Sequence, residues 1–259
     1  MIDYKTLQPV EVVPTTGLTQ RDNRDKWALD IHINDTGIAG NTCMVSSSSM
    51  LVWHAARYFN IPDLLQFDAS NIEEFYYKQI QEFIKKQNIR EKRPKNNELH
   101  RWLGSMHKDF INALLVISGR DDLECVLETS SIENLIKVLQ SGTGAVFGTW
   151  AYMCGHIMFA MAYRPEGLGV LDPFGKYMAI PKYSDTNVGV HYIPWNNVDY
   201  LLGTDVGAIQ QGRGRTFMFY IRKKAVKATT PEPPKQEIKT EEPPKKVSFF
   251  DRIKKVFHV

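Results

Sequence analysis

The stretch NTCMVSSSSMLVWHAARYF, Asn41–Phe59, decides how this chain folds. Met50, Leu51, His54, Ala55 and Tyr58 recur at i, i+1, i+4, i+5 and i+8, the spacing of one apolar face of a helix. Gly40 and Asn41 suit a turn into that helix. Cys43 falls in its first turn, where the helix dipole and the free N–H groups favour a thiolate over a thiol. The run Ser46–Ser49 is an indifferent helix former. Its small side chains let a strand approach the helix closely.

Downstream, GHIMFAMAY opens with Gly155 and His156 and continues as an apolar strand. Asp172, in VLDPFG, follows sixteen residues after His156, at the end of another short strand. Cysteine on a helix start, histidine on a strand and a carboxylate on the next strand suit nucleophilic catalysis with an oriented base. Each residue also has a structural alternative: Cys43 as a small core hydrophobe, His156 as a satisfied core histidine, Asp172 as a turn residue. Of the other cysteines, Cys154 lacks a helix N-terminus, and Cys125, in DDLECVL, reads as a core residue of a helix or strand.

Four fragments stand in one order: QRDN at Gln20–Asn23, TC-x-x-S-S-x-x-M at Thr42–Met50, GH-I-x-F at Gly155–Phe159 and DP-x-G at Asp172–Gly175. Together they resemble the bacteriocin-leader-peptidase-like family of papain-fold cysteine peptidases, and most its stand-alone branch in bacteria and their phages. The resemblance covers roughly residues 10–222. It implies Cys43 as nucleophile, His156 as base, Asp172 as its orienter and Gln20 as an oxyanion donor beside the Cys43 N–H. Two departures stand out. Met44-Val45 follows the cysteine where many relatives have Gly-Pro, and Gln20 lies 23 residues before Cys43.

The chain has 259 residues, 43% hydrophobic and 24% charged, which suits one large or two small globular domains. No apolar run is long enough for a transmembrane helix. The start, MIDYKTLQPVEVV, lacks a basic segment followed by an apolar core, so no signal peptide is expected. Three cysteines leave one unpaired in any disulfide scheme, as in a reducing compartment. The expected location is therefore cytoplasmic or virion-associated. Net charge is +3, of which the segment from Ala228 supplies +2, so the body carries no basic surface of the nucleic-acid-binding kind.

Leu7–Pro14 reads as an edge strand or arm bounded by prolines. Asp30, His32 and Asp35 lack metal-ligand spacing and read as loop. Residues 62–110 read as helical, with a capping box at Ser70–Glu73 and Ile72, Phe75, Tyr76, Ile80 and Phe83 on one face. A basic loop with Pro94 separates this helix from one around Asn97–Phe110. His100 and His107 lie about two turns apart there, too far for one metal, and neither metal nor cofactor is expected. Ile111–Ser118 reads as a strand, and Ser130–Gln140 as a helix with Ser130 and Glu133 in capping-box spacing. From Gly144, GAVFGTW, HIMFAMAY, LGVLD, YMAI and TFMFYI read as short strands, with a helical turn at Asn196–Leu202. Helices before an antiparallel sheet make an α+β fold, which the resemblance specifies as papain-like.

Residues 1–226 form the expected peptidase-like domain. Residues 227–246 hold five prolines and mixed charges, an expected disordered linker. In residues 247–259, Phe249, Phe250, Ile253, Val256 and Phe257 form an apolar stripe with Arg252, Lys254 and Lys255 beside it, and Ser248 and Asp251 can cap the start. Such a cationic amphipathic helix is expected on a membrane surface or a partner protein; folding back on its own domain is the alternative. The functional expectation is a cysteine peptidase or amidase: a phage-type lytic enzyme cutting peptidoglycan cross-bridges, or a virion-maturation protease. The expectation from another class is a catalytically silent papain-like module in an assembly.

Overall fold

The computed structural model describes residues 4–12, 17–18, 43–68, 71–88, 99–150, 156–173, 189–203, 216–225 and 247–257. A short strand, β1 (Val10–Glu11), precedes four helices: α1 (Cys43–Tyr58), α2 (Pro62–Leu65), α3 (Ile72–Lys86) and α4 (Leu99–Ile117). Then come β2 (Leu123–Thr129), α5 (Ile132–Gln140), β3 (Ala145–Thr149), β4 (His156–Arg164), β5 (Gly167–Leu171), β6 (His191–Pro194), α6 (Trp195–Leu202), β7 (Phe217–Lys223) and α7 (Phe249–Phe257). Among the described residues all strand pairings are antiparallel, in the order β2-β7-β3-β4-β5-β6, with β1 extending the sheet beside β4. The fold is α+β. YMAI, Gln20, Cys154 and residues 227–246 lie outside the described residues.

The sheet centres on β4. Eight of its nine residues, His156 to Tyr163, are buried, the continuous apolar run of a strand covered on both faces. Helix α1 crosses it, and twelve residues of α1 are buried, including Ser46–Ser49 at 0% exposure. The small side chains do let helix and strand meet: Ser47 Oγ donates to the Ile157 carbonyl at 3.1 Å. Helix α3 packs on α1 and buries Ile72, Tyr76 and Ile80, and α4 packs on β2 and β7.

Two local expectations are corrected. The apolar run from Ile111 is no strand: α4 continues through it, because Met106, Phe110, Ile111, Leu114 and Leu115 repeat at helical spacing and are all buried. The helix stops only at Gly119, whose φ of 70° is the left-handed conformation that ends helices. Ser70 of the expected capping box lies outside the described residues. Asp68 and Asn71 hold the start of α3 reciprocally, each side chain accepting from the other's backbone N–H at 3.0 and 2.8 Å, and Glu73 turns inward to Ser46. Helix α5 starts one residue later than its spacing predicts, with Ser131 Oγ accepting from the Asn134 N–H at 3.1 Å.

The β4–β5 hairpin carries the detail that matters most downstream. Arg164 faces Gly167 at the turn and Ala162 faces Gly169, but Ala160 then faces Val170. Met161 is thus an extra residue, a bulge, and its carbonyl accepts from the Val12 N–H of the β1 arm at 2.9 Å. Past the bulge, Phe159 faces Leu171. One further step in that register sets Asp172 opposite Met158, on the face His156 shares. Without the bulge Asp172 would oppose Phe159 and point to the other face.

Candidate active site

Cys43 is the first residue of α1, half-buried, at the end of the helix where backbone N–H groups have no partner within the helix. His156 is the first residue of β4 and Asp172 the residue after β5; they are 4% and 0% exposed. His156 Nε2–H donates to Asp172 Oδ1 at 2.6 Å, a distance typical of charge-assisted bonds. The Cys43 side chain also acts on this imidazole, raising the His156 pKa by hydrogen bonding and by charge. The structure therefore joins His156 to Asp172 and sets Cys43 within electrostatic reach of the same imidazole. Gln20 lies outside the described residues.

Burial alone would push the His156 pKa down, since it penalises the imidazolium. The Asp172 carboxylate, by charge and by hydrogen bond, and then Cys43 outweigh it and raise the pKa to about 10. In an unfolded chain the value is about 6.5. A folded pKa above the unfolded one stabilises the fold fully below about pH 6.5, and that contribution drains away as pH rises through about 10. Denaturant titrations from pH 6 to 10 are expected to show a falling midpoint. His156→Gln, which cannot titrate, is expected to flatten that slope.

Several polar contacts around these three residues were not foreseen as a site. Ser47 stands one helical turn after Cys43, and Ile157 directly follows His156, so their 3.1 Å bond ties the cysteine's helix to the histidine's strand. Thr149 Oγ1 donates to the His156 carbonyl at 3.2 Å from the neighbouring strand. Ser46 bonds the buried Glu73 carboxylate, and both Ser48 and Tyr76 bond His107 Nδ1, at 3.2 and 2.8 Å. His107 is thus a core histidine. The signal for this cluster was present as four consecutive serines in a helix, a run that helix propensity does not explain. Ser47→Ala leaves the Ile157 carbonyl without this donor and is expected to cost about 1–2 kcal/mol of stability. Iodoacetamide labelling of Cys43 is expected to slow roughly tenfold, because the thiol–imidazole geometry loosens.

Cys125 is buried in β2, and burial pushes its thiol well above the usual range, which leaves it a core residue. Among the described residues no group of three or more His, Cys, Asp and Glu side chains is arranged to hold a metal ion. No described helix is long and apolar enough to cross a membrane. Comparison with protein-family models, with curated proteins and with solved structures finds no match to this chain.

Proposed function

We propose that the chain is a cysteine peptidase or amidase with a papain-like arrangement. The observation that carries this reading is the His156–Asp172 bond of 2.6 Å together with Cys43 at a helix N-terminus, within electrostatic reach of the same imidazole. The imidazole takes the thiol proton, giving a thiolate–imidazolium pair. Sulfur attacks the carbonyl carbon of an amide, and the C–S bond forms as the carbonyl becomes an oxyanion beside the Cys43 N–H. The imidazolium then protonates the leaving amine, the C–N bond breaks, and water activated by neutral His156 hydrolyses the thioester. Asp172 keeps the ring oriented and stabilises its charge throughout.

The proposed substrate is a peptide amide, with peptidoglycan cross-bridges the first choice and a virion precursor protein the second. The cationic segment 245–255 suits work beside an anionic surface such as a cell envelope. Incubation with purified peptidoglycan and with a peptide library, followed by mass spectrometry of new amine ends, tests this. New ends that vanish with iodoacetamide support the reading. Their absence from both substrates, with Cys43 unreactive at neutral pH, rejects it. The rate is expected to rise through an acidic limb as the ion pair forms. It is expected to fall again only near pH 10, where His156 loses its proton. A rate unchanged from pH 5 to 11 excludes the pair.

A further inference from the structure

The C-terminal helix α7 is seated on the body. It lies against α3 and α4, with Phe249 6% and Ile253 3% exposed. Phe249 packs on Phe75 of α3 with ring centroids 6.1 Å apart, and Phe250 meets Phe67 edge-on at 6.4 Å. The Arg252 guanidinium bonds the Asp63 carboxylate of α2, and the Lys86 ammonium donates to the Val256 carbonyl. Ser248 caps the start: its Oγ accepts from the Asp251 N–H at 3.1 Å, and its hydroxyl donates to Asp251 Oδ2 at 2.8 Å.

That seat covers only part of the apolar surface. Phe250 is 50% exposed, Val256 38% and Val247 58%. Beside them Lys254 and Lys255 stand in solvent. Residues 245–255 carry five cations, Lys245, Lys246, Arg252, Lys254 and Lys255, against the single acid Asp251. A helix of nine residues is too short to persist alone in water, so α7 needs a surface that covers its stripe.

We propose that α7 has two competing seats, its groove on the body and an anionic lipid surface. The Phe249–Ile253 face and the Arg252 charge serve in both, so occupying one empties the other. The charge excess, with a half-exposed phenylalanine at the edge of the stripe, matches lipid headgroups better than a protein groove. In the body-seated state the helix is stored; at an anionic membrane it turns over, inserts Phe249, Phe250 and Ile253, and holds the domain there. This inference does not rest on the proposed activity, and its test needs none.

The test is co-sedimentation of the full chain with vesicles, phosphatidylglycerol-containing or pure phosphatidylcholine, with folding of each variant checked by thermal melt. Asp63→Asn weakens the body seat without altering α7, and binding to anionic vesicles is expected to rise roughly two- to five-fold. Lys86→Gln, at an exposed position, weakens the same seat independently and is expected to act in the same direction. Phe250→Ala removes a side chain that only the lipid seat covers fully, and binding is expected to fall about tenfold or more. Little binding to phosphatidylcholine is expected. The proposal is overturned if wild type ignores anionic vesicles, if both seat variants bind no better than wild type, or if Phe250→Ala binds undiminished. Capture of α7 by a protein without any vesicle binding also overturns it.

Discussion

Replacing Cys43 by alanine is expected to reduce amide hydrolysis by about 10⁵-fold or more, because the covalent route disappears and only binding and oxyanion contacts remain. The fold is expected to survive. Cys43 is half-buried at a helix start, and trimming its sulfur is expected to cost no more than about 1 kcal/mol. Circular dichroism and a thermal melt check the fold, while amine release from a peptide substrate checks the activity. Because Cys43 is one of the groups holding the His156 pKa up, the alanine variant is also expected to lower it modestly, visible by NMR of the imidazole. Loss of activity accompanied by global unfolding would mark Cys43 as a structural residue.

The Asp172→Ala change is expected to be the most disruptive at the histidine. It leaves His156 buried without its carboxylate, and removing one partner of such a pair costs about 3–5 kcal/mol. Hydrolysis is expected to fall by roughly 10²–10⁴-fold, the range lost when a general base is no longer held and charged correctly. The pH dependence of stability is expected to change sign as well. In the parent chain Asp172 and Cys43 together outweigh burial, so stability falls as pH rises from about 6.5 towards 10. Without Asp172, burial is left as the largest influence and favours neutral imidazole. A folded pKa below the unfolded one means that stability is lost as pH falls through about 6.5. Asp172→Asn keeps a hydrogen-bonding side chain and is expected to show the same reversal with a smaller loss of rate. Denaturation midpoints at pH 5, 7 and 9 for the three proteins measure this; parallel profiles would return Asp172 to the role of a turn residue.

Amphipathic spacing carried much of the fold. The face of α1, the stripe of α3 and the apolar run Ile157–Tyr163 of β4 are properties of single segments, and a period of 3.6 or an unbroken apolar run states them locally. The same holds for Cys43 as the first residue of its helix. The run from Ile111 was ambiguous for the same reason, since a short apolar stretch suits a strand or a buried helix alike, and only its packing against β2 and β7 decided between them. Glu73 shows the other limit. Its spacing from Ser70 suits a cap, and nothing in that spacing announces that its carboxylate accepts from Ser46, 27 residues away in sequence.

What the sequence determined by itself is which residues share a face within one element: cysteine at a helix start, histidine at the head of a strand, five apolar side chains along the tail. What the tertiary structure alone decided is how those elements meet. The extra residue at Met161 turns Asp172 onto the face of His156, the Ser47–Ile157 bond brings α1 to that strand, and Asp63 and Phe75 provide the seat for α7. The physical reason is that strand register has a period of two. A one-residue bulge reverses every side chain beyond it, while the amino-acid string reads the same with the bulge or without it.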